Sequence, residues 1–191
     1  FQEVLKIGLT DSTKSLVYSV GDTISLYPEN DPKDVQSFIN LQGWNDICDL
    51  PLSLDCPIHI IPEGGWAKHL TLRSLLQFHL DIMGVPPRSF FQIAWHFATD
   101  EREMEKLKEL GKIEESEQLY NYAHRSHRSI LEVIQEFFSL KIPVEQLLEV
   151  IPLIKPRLFS ICNLPNKETI ELTVAIVEFK TIIRRTRKGL C

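Results

Sequence analysis

The order of its sequence patterns constrains this chain most, because β-like segments at both ends enclose a helical middle. Asp22-Thr-Ile-Ser-Leu-Tyr27 alternates polar and apolar residues, which places Ile24 and Leu26 on one face of a strand. Residues 15–20, 157–162 and 169–179 are further apolar runs that predict strands. Between them, apolar residues recur at helical spacing over about 80 residues. The order predicts a β-structure that a helical insertion interrupts.

The predicted fold class is therefore α+β, with an antiparallel β-barrel whose closure lets the first and last strands pair without leaving open edges. Residues 1–70 are expected to form the first part of the barrel with a loop, 71–152 the helical insertion, and 153–191 the second part. Thr71 is expected to cap one helix, and Ser129 with Glu132 forms a capping-box pattern at another.

Composition narrows the class of protein. Hydrophobic residues make up 43% and charged residues 25%, as in an ordinary soluble globular protein, and no apolar run is long enough to span a membrane. A net charge of −5 argues against nucleic acid as the main partner. The charge is uneven, however, since residues 180–188 hold five bases and no acid. Such a patch suits a solvated hairpin, an acidic partner or a diphosphate.

The cysteines and the ends of the chain add two expectations. The four cysteines have no CxxC spacing, so we expect free thiols in a reducing, intracellular compartment and no metal site. The sequence starts at Phe1 without an initiator Met and stops at Cys191 within a pattern, so we expect an excised fragment. Pattern alone indicates a soluble α+β domain and no more, because motifs such as a nucleophile elbow or a phosphate-binding glycine loop are absent from the sequence.

Four short motifs occur along the chain, and their order can be compared with that of known families. Arg157-Leu158-Phe159-Ser160 resembles the Arg-x-Tyr/Phe-Ser motif of ferredoxin-reductase-type flavoproteins. Gly21-Asp22 with Tyr27-Pro28, the run from Thr173 to Phe179, and Lys188-Gly-Leu-Cys191 resemble neighbouring elements of the diflavin reductases. Together they cover essentially the whole chain. The resemblance implies a ferredoxin-reductase-type FAD-binding barrel that a helical connecting insertion interrupts. Residues 128–133 and 185–191 look closest to the cytosolic branch that serves iron–sulfur assembly, whereas cytochrome P450 reductase is more distant.

The resemblance also implies a cofactor site on the second part of the barrel. By it, Arg157 binds the FAD diphosphate, Leu158 belongs to the same motif, Phe159 stacks on the isoalloxazine, and Ser160 assists hydride transfer as the catalytic candidate. These residue types suit the binding of FAD, because the guanidinium fork of arginine binds phosphate oxygens and an aromatic ring stacks on the flat flavin ring. Strand alternation places Arg157 and Phe159 on one face, so one cofactor meets both.

The remaining cofactor contacts implied by the resemblance lie elsewhere in the chain. Thr173 lines the flavin through its backbone, and Gly189, Leu190 and Cys191 present amides to the diphosphate. His127 stands where relatives carry an arginine that reaches the diphosphate. Either His127 takes a weaker, pH-dependent role, or Arg128 or Arg125 substitutes. Arg73 matches a family arginine that contacts the phosphates of the nicotinamide cofactor, although a plain surface arginine is the favoured interpretation.

The implied function is electron transfer. NADPH would reduce FAD, and electrons would pass to FMN in a separate domain and then to an anamorsin-like iron–sulfur protein in the cytoplasm. The FMN and NADPH domains lie outside this segment, so we expect it to be inactive with NADPH alone. Three alternatives stay open: a helical docking or spacer module that holds no FAD, the FAD segment of a cytochrome P450 reductase-like enzyme, and a single-flavin ferredoxin reductase, which the long insertion disfavours.

Overall fold

The computed structural model describes residues 3–10, 17–52, 70–165, 169–182 and 184–189. The chain divides into two compact units. The β unit combines Phe1–Pro28 with Lys155–Cys191, and the helical unit consists of Glu29–Ile154. The expected domain boundaries after residues 70 and 152 stay a prediction; the compact units change over after residues 28 and 154.

Helices and short helical turns make up the described part of the helical unit. The α-helices are α1 (Pro32–Gln42), α2 (Leu72–Phe78), α3 (Arg88–Ala94), α4 (Glu101–Gly111), α5 (Ser116–Leu119), α6 (Ile130–Glu136) and α7 (Leu147–Val150). Trp95–Phe97 and Val144–Gln146 form 3₁₀ turns, and Tyr120–His124 forms a π-helical turn directly after α5.

Local sequence signals set several of these helix ends. Both expected caps are present: the Thr71 side chain accepts from the Ser74 amide, and Ser129 and Glu132 form a reciprocal capping box. Helix α1 ends at Gly43, which adopts the left-handed conformation with φ 78°. Helix α4 ends at Gly111, where a Cβ atom would lie 3.1 Å from the backbone nitrogen of Gln92. Glycine therefore allows the end of α4 to approach α3 closely.

The helical unit has a continuous apolar core. Phe38, Phe90 and Phe91 are each 0% exposed within it, and the rings of Phe90 and Phe91 meet edge to face at 5.1 Å. None of the helices in the described ranges is long and apolar enough to cross a membrane.

Three antiparallel strand pairs form the described part of the β unit. The strands are β1 (Val4–Thr10), β2 (Thr23–Leu26), β3 (Arg157–Ser160), β4 (Thr169–Ala175), β5 (Glu178–Lys180) and β6 (Thr186–Lys188). Strand β1 pairs with β4, β2 with β3, and β5 with β6. A single bridge between Ile161 and Leu172 connects the second pair to the first. The α+β class is thus confirmed, whereas the expected closed barrel is not formed by the described strands, whose sheets are two-stranded.

Two predicted strands differ from those observed. The described residues of the segment 15–20 form no strand: residues 17–19 have no regular secondary structure, and a turn begins at Val20. Val17 is 94% exposed, and Tyr18 is the buried residue among them. The long strand predicted for residues 169–179 breaks after Ala175 into β4 and β5. The register of β4 with β1 runs to the pair of Ala175 with Val4, and the Ile176 amide makes one further hydrogen bond, to the Glu3 carbonyl at 2.8 Å.

Candidate functional site

The position of strand β3 is fixed by its pairing with β2. Leu26 lies opposite Arg157, and Thr23 lies opposite Ser160. One more bond extends the pair, because the Ile161 amide donates to the Asp22 carbonyl at 3.0 Å. Strand β2 in turn follows a turn in which Gly21 has φ 96° and the Asp22 carboxylate accepts from the Ser19 amide at 2.8 Å. The Gly21-Asp22 pair therefore helps set the register of the candidate motif.

Arg157 presents its guanidinium to solvent at the start of β3. One terminal nitrogen donates to the Lys155 carbonyl at 2.6 Å, and the side chain forms no ion pair within the described residues. That bond orients the side chain and leaves further N–H groups available. An exposed cationic fork of this kind suits an anionic oxygen ligand such as a phosphate group.

The other residues of the motif divide between the two faces of the strand. Phe159 is half-buried and packs with Ile24 and Leu26 against the small apolar cluster of the β unit. Leu158 is 70% exposed and Ser160 is also exposed, on the face opposite Phe159. A flat ligand can therefore reach only the part of the Phe159 ring that the cluster leaves uncovered, while Leu158 and Ser160 are open to solvent.

Thr173 lies on a polar face of the β1–β4 sheet. It is exposed and lies opposite Lys6, and its hydroxyl donates to the Cys162 sulfur at 3.6 Å. Lys6 forms a 2.7 Å ion pair with Glu171, and that carboxylate raises the pKa of Lys6, mainly through the hydrogen bond. The Cys162 amide donates to the Glu171 carbonyl at 2.9 Å, two residues after Ser160. Thr173 and the end of the motif strand are thus held side by side.

Gly189 follows strand β6 directly. Its amide donates to the Val177 carbonyl at 2.8 Å, so this donor is used within the β unit. The expected diphosphate contacts of Leu190 and Cys191 lie outside the described residues.

His127 occupies a tight turn just before helix α6. Its φ is 49°, a left-handed conformation in which histidine is enriched relative to most residues, and its amide donates to the His124 carbonyl at 3.1 Å. The residue is exposed. His127 belongs to the helical unit, whereas Arg157, Thr173 and Gly189 belong to the β unit.

The backbone amides in the first turn of α6 already have hydrogen-bond acceptors within the protein. The amides of Ile130 and Leu131 donate to the carbonyls of Gly84 and Ile82 at 3.0 and 2.9 Å, and the Glu132 amide donates to the Ser129 hydroxyl at 3.2 Å. These are donors that a free helix start would turn toward a phosphate. Any anion bound near this turn would therefore depend on side chains rather than on the start of α6.

Arg128 is already engaged within the helical unit. Its guanidinium lies 4.2 Å from the centre of the Tyr122 ring and forms an ion pair with Glu136. Glu136 also accepts from the Tyr122 hydroxyl at 3.0 Å, and burial raises the pKa of Tyr122 to about 12, which keeps that hydroxyl protonated. Of the three candidates around residue 127, His127 and Arg125 are exposed, whereas Arg128 is half-buried in this network.

Arg73 is likewise engaged in internal contacts. Its guanidinium pairs with Asp49 at 2.7 Å and donates to the Gln36 amide oxygen at 2.7 Å and to the Cys48 sulfur at 3.1 Å. The hydrogen bond from Arg73 lowers the pKa of Asp49. These contacts tie α1 and α2 to the segment that follows α1.

The donor set of the β unit fits the chemistry of FAD. The exposed Arg157 fork suits a diphosphate, and the exposed Ser160 and Thr173 hydroxyls suit polar groups of a flavin. Sequence reasoning missed the Lys6–Glu171 ion pair and the Cys162 thiol beside Thr173, as well as the Tyr122–Arg128–Glu136 network. Strand pairing creates the first two, and no local motif marks them.

Comparison with known proteins gives a consistent picture. The model of the family described as "FAD binding domain" matches residues 3–191. NADPH-dependent diflavin oxidoreductase 1 of Candida albicans is 50% identical over 187 residues, which cover 94% of this chain and 31% of that relative. The proteins of the same name in Debaryomyces hansenii and Saccharomyces cerevisiae are 51% and 41% identical and cover 93% and 91% of this chain, with 31% and 30% of their own lengths matched. The chain spans about a third of the length of these relatives.

Proposed function

Because the chain belongs to the FAD-binding domain family, we propose that it holds FAD within an NADPH-dependent diflavin oxidoreductase. In this proposal, electrons pass from NADPH through FAD and FMN to an anamorsin-like iron–sulfur protein of cytosolic cluster assembly. The FMN and NADPH domains would be further parts of the same protein, and the cytoplasm is the proposed location. The names and identities of the relatives support the oxidoreductase part of the proposal.

The exposed Arg157 fork at the start of β3 is the observation that carries the proposal. The register with β2 and the bond to Lys155 hold this side chain in place before any ligand arrives. A positioned arginine loses less conformational entropy when it binds a phosphate than a mobile one does. We assign Arg157 to the FAD diphosphate.

The other motif residues have proposed roles that match their exposure. Ser160 would donate its hydroxyl to the reactive edge of the flavin, and the uncovered part of the Phe159 ring would contact the flavin ring. Because Leu158 and Ser160 lie on the opposite face of β3, the proposal requires twist at the end of this strand. Thr173 would line the flavin, and Gly189, Leu190 and Cys191 would hold the diphosphate from the other side. His127 would add a further contact to the diphosphate. The β1–β4 and β2–β3 pairs, linked at Ile161, would be two arcs of an antiparallel barrel.

The protein's share of the chemistry in this proposal is placement and electrostatics. Bound FAD supplies the chemistry that connects a two-electron donor with one-electron carriers. Arg157 offsets the charge of the diphosphate. The Ser160 hydroxyl, which is exposed at the end of β3, would donate a hydrogen bond at the reacting edge of bound FAD.

Arg157→Ala tests the proposal directly. We expect the affinity for FAD to fall roughly 10- to 100-fold, the scale of a charge-assisted hydrogen bond. Arg157→Lys is expected to fall between the wild type and Arg157→Ala, because it keeps the charge without the fork. Equilibrium titration with FAD, followed by flavin fluorescence, measures all three proteins.

Arg102→Ala is the matched control, because Arg102 is an exposed arginine on helix α4 of the helical unit. It is expected to keep the wild-type affinity. Equal losses in the Arg157 and Arg102 variants would contradict the assignment of Arg157. A wild-type protein that takes up no added FAD would contradict cofactor binding itself and would favour the docking or spacer interpretation of the helical insertion.

A further inference from the structure

The β5–β6 hairpin carries a positive surface that the proposed flavin site does not use. Residues 180–188 include five bases and no acid, in a chain whose net charge is −5. We propose that the cationic hairpin, defined by Lys180, Arg184 and Lys188, is a docking surface for an acidic polypeptide segment. This inference does not depend on flavin binding, since none of the three residues belongs to the assigned cofactor contacts.

Hydrogen bonds hold the hairpin in a defined shape. The Thr181 amide donates to the Arg185 carbonyl at 2.8 Å, and the Arg184 amide donates back to the Thr181 carbonyl at 2.9 Å. The buried Thr181 hydroxyl accepts from the Arg185 amide at 3.1 Å. Arg184 itself has φ 60°, a left-handed conformation that these bonds support. A turn built in this way fixes the backbone positions from which these side chains extend, and it limits the backbone entropy lost when a partner binds.

The three cations face solvent. Lys180, Arg184 and Lys188 are all exposed, and none of them forms an ion pair within the described residues. Lys180 lies opposite Thr186, and the only acidic register partner in the hairpin is Glu178, opposite Lys188. Ile182, 60% exposed, adds an apolar contact between Lys180 and Arg184. A positive surface around an apolar side chain suits a transient protein contact guided by charge.

The spacing of the cations favours an extended polypeptide over a single phosphate group. Lys188 lies two residues beyond Thr186, the register partner of Lys180, which corresponds to about 6–7 Å along the strand. Alternate residues of an extended peptide repeat at this same spacing. Carboxylates at every second position could therefore pair in turn along the hairpin, whereas a diphosphate would meet one end of it.

Two simpler explanations of the charges have to be separated from docking. Lysine and arginine on a short exposed hairpin discourage edge-to-edge aggregation, and that role needs no partner. A cluster of bases also attracts small phosphates without specific docking. If the hairpin is a docking surface, it binds an acidic peptide in preference to a neutral one. If it only prevents aggregation, it binds neither peptide. If it only attracts phosphates, it binds pyrophosphate as readily as the acidic peptide.

The test is a titration of the complete protein with fluorescently labelled short peptides of alternating Glu and Ser, followed by anisotropy at low and at physiological salt. We expect Lys180→Gln combined with Arg184→Gln to weaken binding roughly fivefold or more, on the scale of two surface ion pairs. The affinity should also fall with added salt, because salt screens exposed charges. Lys180→Arg combined with Arg184→Lys conserves the charge and should retain binding.

The matched control is Lys33→Gln combined with Arg102→Gln, which changes the net charge equally at exposed sites of the helical unit. It should leave the affinity within about twofold of the wild type, since scattered surface charges contribute little individually. Equal losses in the two double variants would overturn the proposal, because attraction would then follow net charge alone. It would also be overturned by a Gln–Ser peptide that binds as tightly as the Glu–Ser peptide, or by pyrophosphate that displaces the peptide at matched concentrations.

Discussion

The two compact units bury their apolar residues to very different extents. In the helical unit, one core joins residues from α1 to α7, and rings such as Phe38, Phe90 and Phe91 are 0% exposed. In the described part of the β unit, the buried apolar side chains are Tyr18, Ile170 and Leu172, and the surrounding residues are only partly buried. The stability of a unit rises with the apolar area it removes from water. The helical unit is therefore expected to hold its fold through its own packing, and the β unit to depend more on what binds to it.

This difference agrees with the placement of candidate functional residues. Arg157, Ser160 and Thr173 are all exposed residues of the thinly packed β unit. In the helical unit, by contrast, Arg73 and Arg128 are engaged in internal contacts. A ligand that binds only the folded state stabilises it, and the gain matters most where the intrinsic packing is small.

The largest expected effect is the loss of a core ring from the helical unit. Phe91→Ala should lower the free energy of unfolding by about 3–5 kcal/mol, because it removes a fully buried ring that packs edge to face on Phe90. All three tryptophans of the sequence lie between residues 29 and 154, so their fluorescence during guanidinium unfolding reports on this unit.

Phe138→Ala is the matched control for this measurement. Phe138 is 73% exposed, and the same substitution there should change the free energy of unfolding by less than about 0.5 kcal/mol. If both variants shifted the unfolding midpoint by the same amount, burial in this core would not be what stabilises the helical unit.

Addition of FAD should stabilise the β unit by a smaller amount. At a free FAD concentration of about 100 times Kd, the gain is about 2.7 kcal/mol. Amide hydrogen exchange, resolved by peptide, should slow most in β1 and β4 and least in the core helices. This pattern follows if the β unit opens without the helical unit and FAD binds only its folded form.

Two outcomes would contradict the expected difference in stability between the two units. Equal slowing of exchange in both units would mean that they open together, so that packing differences between them have no separate consequence. If FAD slowed amide exchange in Arg157→Ala as much as in the wild type at the same concentration, the stabilisation would not depend on the assigned diphosphate contact.

Local signals in the sequence were enough for much of the helical unit and for the candidate strand. The Thr71 cap and the Ser129–Glu132 capping box each depend on side chains three residues apart, and both form as expected. Strand β2 follows directly from the alternation around Ile24 and Leu26. Features of this kind require only neighbours along the chain, which the sequence displays.

Pairing between distant segments explains what sequence reasoning could not supply. The extent of β4 follows its register with β1, about 170 residues earlier in the chain, and β-propensity contains no such information. Val17 and Val20 suggest a strand by type, yet both are exposed because only Tyr18 reaches the cluster. The engagement of Arg128 by Tyr122 and Glu136 likewise follows from the packing of α6 beside the π-helical turn.

The smallest expected effect concerns pH. Burial lowers the pKa of His79, a half-buried residue at the end of α2, below its ordinary value of 6.5. Well above pH 6.5 the imidazole is neutral in both states; as the pH falls toward and below 6.5 the unfolded chain binds the proton first, so the helical unit loses stability. His79→Gln should reduce this loss in tryptophan-monitored unfolding between pH 7.5 and 5.5, whereas the exposed His96→Gln should retain it. An unchanged pH dependence in His79→Gln would show that burial in the helical core does not extend to this imidazole.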